Sequence, residues 1–342
     1  MEEGAGGMTM MRSVLSVAPG GPGSLVMGEA PVPQPTGAEV RIRVRAVGIN
    51  YPDLLIIEDK YQYKPQRPFA PGAEVSGVVD ALGPDARGLG VGDKVMAMAG
   101  WGGLAEYVCV PAGKCSPFPQ EMPFDEAAAF LMTYGTSYHA LRDRAGLKPG
   151  ETLLVMGAAG GVGLAAVELG KALGARVVAA ASSEAKLAVA RAAGADETVL
   201  YPAQAPDRDG QRALAAAFKA ACGADGASVI YDPVGGSYAE PALRAIAWEG
   251  RYLVVGFPAG IPSIPLNLPL LKSCDIRGVF WGAAIERDPE GHQKAVRELV
   301  ELYRAGRIKP LIHARFGFGE ASEAIAMLAT RGVAGKVVVT LD

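Results

Sequence analysis

Between residues 12 and 123, apolar and polar positions alternate in short runs broken by Gly or Pro, among them "EVRIRVRAVGIN", "AEVSGVVDAL", "DKVMAM" and "LAEYVCVP". A period of two buries one face of a strand and exposes the other, so this stretch predicts a small all-β module. The period becomes helical at "PFDEAAAFLMTYGTSYHALRDRAGL", with Asp125 the predicted N-cap and Pro123 just outside it. A boundary is therefore expected near residue 124. The apolar runs "TLLVMG", "RVVAAA", "ETVLY", "SVIYD" and "RYLVVGF" then recur at intervals of helix length. Such a βαβ series predicts a parallel, doubly wound sheet. The Pro-rich "PAGIPSIPLNLP" breaks the series, before a strand "DIRGVFW", a helix from about Asp288 to Ala305, and a final strand "GKVVVTLD". That last strand is expected to return to the β-rich module. The predicted division is thus 1–124 completed by 266–342, with 125–265 as the doubly wound unit.

Composition narrows what such a protein can do. Half of the 342 residues are apolar, and 33 Lys and Arg stand against 36 Asp and Glu without a basic stripe, which argues against a nucleic-acid partner. The opening "MEEGAGGMTMM" is acidic where a secretory leader is basic, and no later run reaches the roughly 18 apolar residues of a membrane span. A cytoplasmic protein without a membrane span is expected. Cys109, Cys115, Cys222 and Cys274 form no C-x-x-C pair and are expected to be buried or incidental thiols.

Gly157, Gly160, Gly161 and Gly163, with Val162 among them, follow one predicted strand and open a helix. Without side chains the backbone can approach a pyrophosphate, and the N–H groups of the helix start suit its charge. The spacing is G-x-x-G-G-x-G, and the alternative is a tight turn needed only for packing. In a βαβ series it predicts a dinucleotide site. An NAD enzyme places an acid at the end of the next strand to hold the ribose 2′-OH, but here Ala180 and Ala181 precede Ser182, Ser183 and Lys186. Donors without an acid predict NADP(H). The competing account is a solvated helix start capped by Ser183.

The motifs "GINYPDLL", "PGAEVSGVV", "VGDKV", "AEYV", "GTSYHAL", "GAAGGVG", "YDPVGG", "GFPAG" and "GKVVV", in this order, resemble the medium-chain dehydrogenase/reductase superfamily. Within it they are most similar to the zinc-independent NADPH:quinone oxidoreductase-like branch. The resemblance implies an α/β protein with a GroES-like β-barrel catalytic domain and a Rossmann domain. It implies that Lys186 and Tyr201 bind a 2′-phosphate, that Thr136 and Lys336 contact the cofactor, and that Gly256 and Phe257 pass the nicotinamide. Zinc-dependent relatives hold their metal where this sequence has Asn50, Ala73 and Met132, and the lobe with a second, structural zinc is missing between Gly92 and Ala105. No thiolate or imidazole remains at those places, so no metal site is expected; His139, His292 and His313 are scattered.

Without a Lewis acid, an already electrophilic substrate is the natural acceptor: a quinone, or a C=C bond conjugated to a carbonyl. Hydride addition to the distal carbon leaves charge on the carbonyl oxygen, which hydrogen-bond donors stabilise. The segment "NYPDLLIIEDKYQY" offers Asn50, Tyr61 and Tyr51 as donors. The resemblance adds Asp53, whose alternative role is to hold the loop through backbone N–H groups. Lys60, Lys64 and Arg67 could meet the phosphates of a coenzyme A thioester or form a solvated face, so a short-chain enoyl-CoA reductase of the acryloyl-CoA kind is an alternative. Another is an NADPH-binding structural or membrane-associated protein with little turnover. A homodimer or homotetramer joined through "DIRGVFWG" is expected.

Overall fold

The computed structural model describes residues 9–330 and 332–341, so the first eight residues of the acidic opening segment lie outside the described residues. The chain divides into two compact units, one running to Met132 and resuming at Pro310, the other spanning Thr133–Lys309.

The first unit begins with β1 (Met10–Ser16) and β2 (Leu25–Pro31), an antiparallel pair, followed by β3 (Glu39–Ile49), β4 (Glu74–Leu82), β5 (Lys94–Met98), β6 (Tyr107–Pro111) and β7 (Cys115–Pro117). Val40, Ile42 and Val44 are buried at alternate positions of β3, the period-two signal seen in the sequence. The segment Tyr51–Ile57, read above as a loop, is a helix with Asn50 at its N-cap position. The helix Phe124–Ala128 starts after Pro123, which takes the N-cap position predicted for Asp125. Asp125 lies in the first turn instead, and its carboxylate accepts the Arg315 guanidinium at 2.6 Å and the Glu126 N–H at 2.9 Å.

The second unit holds β8 (Thr152–Val155), β9 (Arg176–Ala181), β10 (Glu197–Leu200), β11 (Ala227–Asp232), β12 (Ile246–Val254) and β13 (Asp275–Gly278). Their order is β10-β9-β8-β11-β12-β13, and every neighbouring pair is parallel. Leu153, Leu154, Val177, Val178, Val229 and Ile230 are fully buried, as in a parallel sheet covered on both faces. The order reverses between β8 and β11, which makes the ends of these strands a topological switch point.

The chain then returns to the first unit as β14 (Ile312–Gly317) and β15 (Lys336–Thr340). β15 lies between β14 and β3, antiparallel to β3 with Val338 opposite Gly48, as expected for the tail. The expected boundary at 265/266 is displaced. Residues 266–309 belong with the second unit because β13 extends its sheet beside β12, and because Glu298, on the helix Pro289–Arg304, accepts the Tyr138 phenol at 2.9 Å. The Pro-rich stretch is a connection within that unit. No helix among the described residues is long and apolar enough to cross a membrane.

Gly48 of β3 shows how closely these elements pack: a Cβ there would lie 1.9 Å from the Ala128 carbonyl oxygen and 2.8 Å from Glu74 Oε2. Overpacking of a core costs about 1–3 kcal/mol, so Gly48→Ala should destabilise by roughly 2–3 kcal/mol. Gly319→Ala, with open space around it, serves as the control. Thermal melts of both variants check this, and equal melting temperatures would contradict it.

Candidate functional site

The glycine turn of the second unit is built for close approach. Gly157 adopts φ +58°, Gly160 is the N-cap residue, and the helix Gly161–Ala172 follows. The Gly160 N–H donates to the Gly157 carbonyl at 2.9 Å, and a Cβ on Gly163 would fall 2.2 Å from that same oxygen. Only glycine at 163 lets the helix start this near the turn. No side chain caps this helix. Its first N–H groups, on Gly161, Val162 and Gly163, lack intrahelical partners and present the positive end of the helix dipole to an anion.

One strand further out, Ala180 and Ala181 are buried and Ser182 and Lys186 follow, with Lys186 Nζ 3.4 Å from Ser182 Oγ. Ser183 accepts the Lys186 N–H at 3.3 Å and so caps the helix Glu184–Ala192, as the competing account required. Capping uses the Ser183 hydroxyl, while the Ser182 hydroxyl faces the Lys186 ammonium. Tyr201 follows β10, its N–H donating to the Ala181 carbonyl at 3.0 Å and its ring 5.0 Å from that of Tyr238. Ser182, Lys186 and Tyr201 thus gather at the carboxyl ends of two adjacent strands.

Thr136 opens one α-helical turn between π-helical segments at Leu131–Gly135 and His139–Arg144. π-Helical turns of this kind recur at functional sites. The next residue, Ser137, was not predicted: its hydroxyl donates to the Val162 carbonyl and meets the Tyr231 hydroxyl, both at 2.9 Å. The first turn of the glycine-led helix is thereby tied to β11. Gly256 and Phe257 lie beyond β12, and the Gly256 N–H reaches back 3.4 Å to the Asp232 carbonyl. The sequence contained these partners within quoted motifs, but nothing in their spacing signalled the bonds.

In the first unit, Asn50, Ala73 and Met132 converge on two buried carboxylates. Glu74 is fully buried; its Oε1 accepts the Met132 N–H at 2.8 Å, and its Oε2 accepts Asn50 Nδ2 at 2.9 Å and Lys336 Nζ at 3.0 Å. Lys336 Nζ also donates to Asn50 Oδ1 at 2.5 Å and to the Ile49 carbonyl at 3.2 Å. Asp53 accepts N–H groups of Asn50, Gly72 and Ala73 at 2.8, 3.0 and 3.1 Å. Burial pushes its carboxyl up to about 6, against those donors and the Lys336 charge, which favour the anion.

Three of the candidates have their partners within the unit. Asn50 donates to the Gly48 carbonyl at 3.0 Å and to Glu74, so both amide hydrogens are committed and none remains for a substrate. The lysine facing its Oδ1 has no acceptor capacity, which fixes the orientation of the amide. Lys336, expected at the cofactor, has its three ammonium hydrogens engaged within the first unit. Asp53 performs the structural role, holding the start of the helix Tyr51–Ile57 to residues 72 and 73.

The aromatic candidates remain. Tyr61 is half-buried with its ring 5.8 Å from Tyr63, and burial, Tyr63 and Asp53 raise its phenol, which keeps it a donor. Tyr51 is exposed at the start of its helix. The basic face is mostly committed: Lys60 pairs with Glu58 at 2.8 Å, and Arg67 with Asp59 at 2.8 Å and the Ile57 carbonyl at 2.9 Å. His139 bonds Asp143 at 2.9 Å, and His292 is buried edge-on against Trp281, its pKa lowered by burial. Cys115, Cys222 and Cys274 are buried and Cys109 is partly so, all as free thiols.

Comparison with known proteins matches both units. Residues 36–120 fit the family described as alcohol dehydrogenase GroES-like domain, and residues 161–302 the one described as zinc-binding dehydrogenase. The chain is 38% identical over 306 residues to a quinone oxidoreductase-like protein 2 homolog of Nematostella vectensis, covering 88% of this chain and 81% of that one. It is 29% identical to human quinone oxidoreductase, over 98% of this chain and 100% of the human one. A mycobacterial protein solved in complex with NADPH superposes with a TM-score of 0.88 at 28% identity, over 97% and 100% of the two chains. A dinucleotide-type glycine turn in one unit, a GroES-like fold in the other and relatives alike over most of both lengths lead to one conclusion: this chain is an oxidoreductase of the medium-chain dehydrogenase/reductase superfamily, among its quinone oxidoreductase-like members.

Proposed function

We propose that the protein is a zinc-independent reductase that uses NADPH to deliver hydride to a quinone or to a C=C bond conjugated to a carbonyl. The observation that carries this reading is the buried ammonium of Lys336, ion-paired with Glu74 beside Asn50, where similar alcohol dehydrogenases hold zinc. Although the family matched by residues 161–302 is described as zinc-binding, the residues at these positions do not fit the metal. Zinc asks for thiolate, imidazole or carboxylate ligands; here the side chains at those positions are an amide and two apolar groups, and the carboxylates beside them are engaged, Glu74 by Asn50, the Met132 N–H and the Lys336 ammonium and Asp53 by three backbone N–H groups. An acceptor polarised by its own conjugation needs no metal. Tyr61 and Tyr51 are the first unit's candidate donors to the developing oxyanion.

The side-by-side test is NADPH oxidation with quinones, enals and short enoyl-CoA thioesters, with and without a strong chelator. Turnover with quinones or enals, unchanged by the chelator, is expected. Preference for the thioester would favour the enoyl-CoA alternative, which the internal pairing of Lys60 and Arg67 disfavours. Tight NADPH binding with no turnover would favour the structural role. Activity lost to the chelator and restored by zinc would end the metal-free reading.

Cofactor choice rests on Ser182, Lys186 and Tyr201, and on the alanines that stand where an acid would hold a ribose. A hydrogen bond to a charged group contributes about 1.5–3 kcal/mol, so Lys186→Ala should weaken NADPH by roughly one to two orders of magnitude. NADH affinity should barely change. Dissociation constants for both cofactors, parent and variant, check this; equal losses would show that no 2′-phosphate site exists there.

Assembly follows from β13, the edge of its sheet, which carries the exposed Ile276 and leads to the exposed Phe280. Leu266, Leu270 and Leu271, just before it, are also exposed. An apolar edge strand left open invites strand pairing, and a second copy of the chain in a closed dimer, or a dimer of dimers, would cover it. Light scattering at micromolar concentration should return a multiple of 35.3 kDa. A mass of one chain would refute the assembly.

A further inference from the structure

Dinucleotides lie over the carboxyl ends of strands on both sides of a switch point, here between β8 and β11. With the 2′-phosphate on the β9 and β10 side, the nicotinamide half falls to the ends of β11 and β12. Two turns leave those ends, at 233–236 and 255–260, and one residue holds both. Asp232 Oδ1 accepts the N–H groups of Val234 and Gly235 at 2.8 and 2.9 Å, while its backbone carbonyl accepts those of Val255 and Gly256 at 3.0 and 3.4 Å.

The turns are then bonded to each other, Ala259 N–H to the Val234 carbonyl at 3.0 Å and Gly236 N–H to the Gly260 carbonyl at 2.7 Å. Gly235 and Gly236 have φ of +69° and +57°, and a Cβ on either would come within 2.7 and 2.4 Å of carbonyl oxygens of the opposite turn. Asp232 Oδ2 accepts the phenol of Tyr252 on β12. The Asp232 carboxyl is 3% exposed; burial pushes its pKa up, and the donors from Tyr252, Gly235 and Val234 on its two oxygens work against that shift.

Burying a charge is costly, and a parallel sheet does not require it at a strand end. β8, β9, β10 and β12 end on Val155, Ala181, Leu200 and Val254. The charged exception therefore marks the turns themselves as what must be held. We propose that Asp232, secured by Tyr252, is a positioning residue for the nicotinamide half of NADPH, acting through the paired turns 233–236 and 255–260. The inference rests on the NADPH reading above.

The experiment compares calorimetric binding of NADPH with that of 2′,5′-ADP, which lacks the nicotinamide half, to the whole protein. In Asp232→Ala, NADPH should weaken by about tenfold or more while 2′,5′-ADP stays within about twofold. Asp232→Asn, whose amide oxygen can keep the Val234 and Gly235 bonds, should recover most of the loss, and Tyr252→Phe should fall between. Equal weakening of both ligands, or of neither, overturns the proposal. If Asp232→Ala does not fold, Tyr252→Phe decides: NADPH should weaken several-fold while 2′,5′-ADP stays within about twofold, and equal effects on both ligands overturn the proposal. A parent protein that fails to bind 2′,5′-ADP would overturn the NADPH reading itself, and this inference with it.

Discussion

A lysine ammonium buried to 5% exposure can persist only if its hydrogens and its charge are answered locally, and the arrangement of the first unit follows from that demand. Lys336 opens β15, so its position ties the last strand to the third: the Ile49 carbonyl and Asn50 lie at the end of β3, and Glu74 at the start of β4. Glu74 then takes the Met132 N–H, and Asn50 leads into the helix that Asp53 anchors. Four segments distant in sequence meet around one ion pair. Removing either partner would leave the other charge buried and unpaired, a loss of about 3–5 kcal/mol in comparable settings.

The second unit solves a different problem, since its anionic ligand must be met by backbone. Glycines at 157, 160 and 163 remove the side chains that would separate the helix start from a phosphate, and Ser137 and Tyr231 fix that helix start from beneath. Rigid elements below and bare backbone above are what keep such a site from collapsing onto itself before ligand arrives. The same logic recurs at Asp232, where a buried carboxylate organises the backbone of the turn that follows it.

The apolar strand runs and the parallel character of the second unit's sheet were legible because each has a short-range signal. Alternation in "EVRIRVRAVGIN" and apolar runs such as "TLLVMG" report burial on one face or two, and the observed strands follow them. The return of "GKVVVTLD" to the first unit was also readable, from the completed βαβ series. What was not legible were partners. Nothing in the spacing around Asn50 and Lys336 signals that Glu74 bonds both, whereas the role of Asp53 in holding backbone N–H groups was one of the readings the sequence offered. The boundary near 265 failed for a related reason: prolines break a pattern, but only pairing decides that β13 still belongs to the sheet.

On the metal-free reading proposed above, family description and site chemistry part company at Asn50, Ala73 and Met132, and the physical account of that parting is charge. A metal-binding pocket is a cavity of negative potential awaiting a cation. Here Glu74 supplies the negative charge and the Lys336 ammonium is the cation, covalently attached and unable to exchange. Such an internal cation has no open coordination position with which to polarise a bound oxygen. On that reading, a fold shared with alcohol dehydrogenases keeps its electrostatic balance without Lewis-acid chemistry, and the acceptors we propose for it are those activated by their own conjugation.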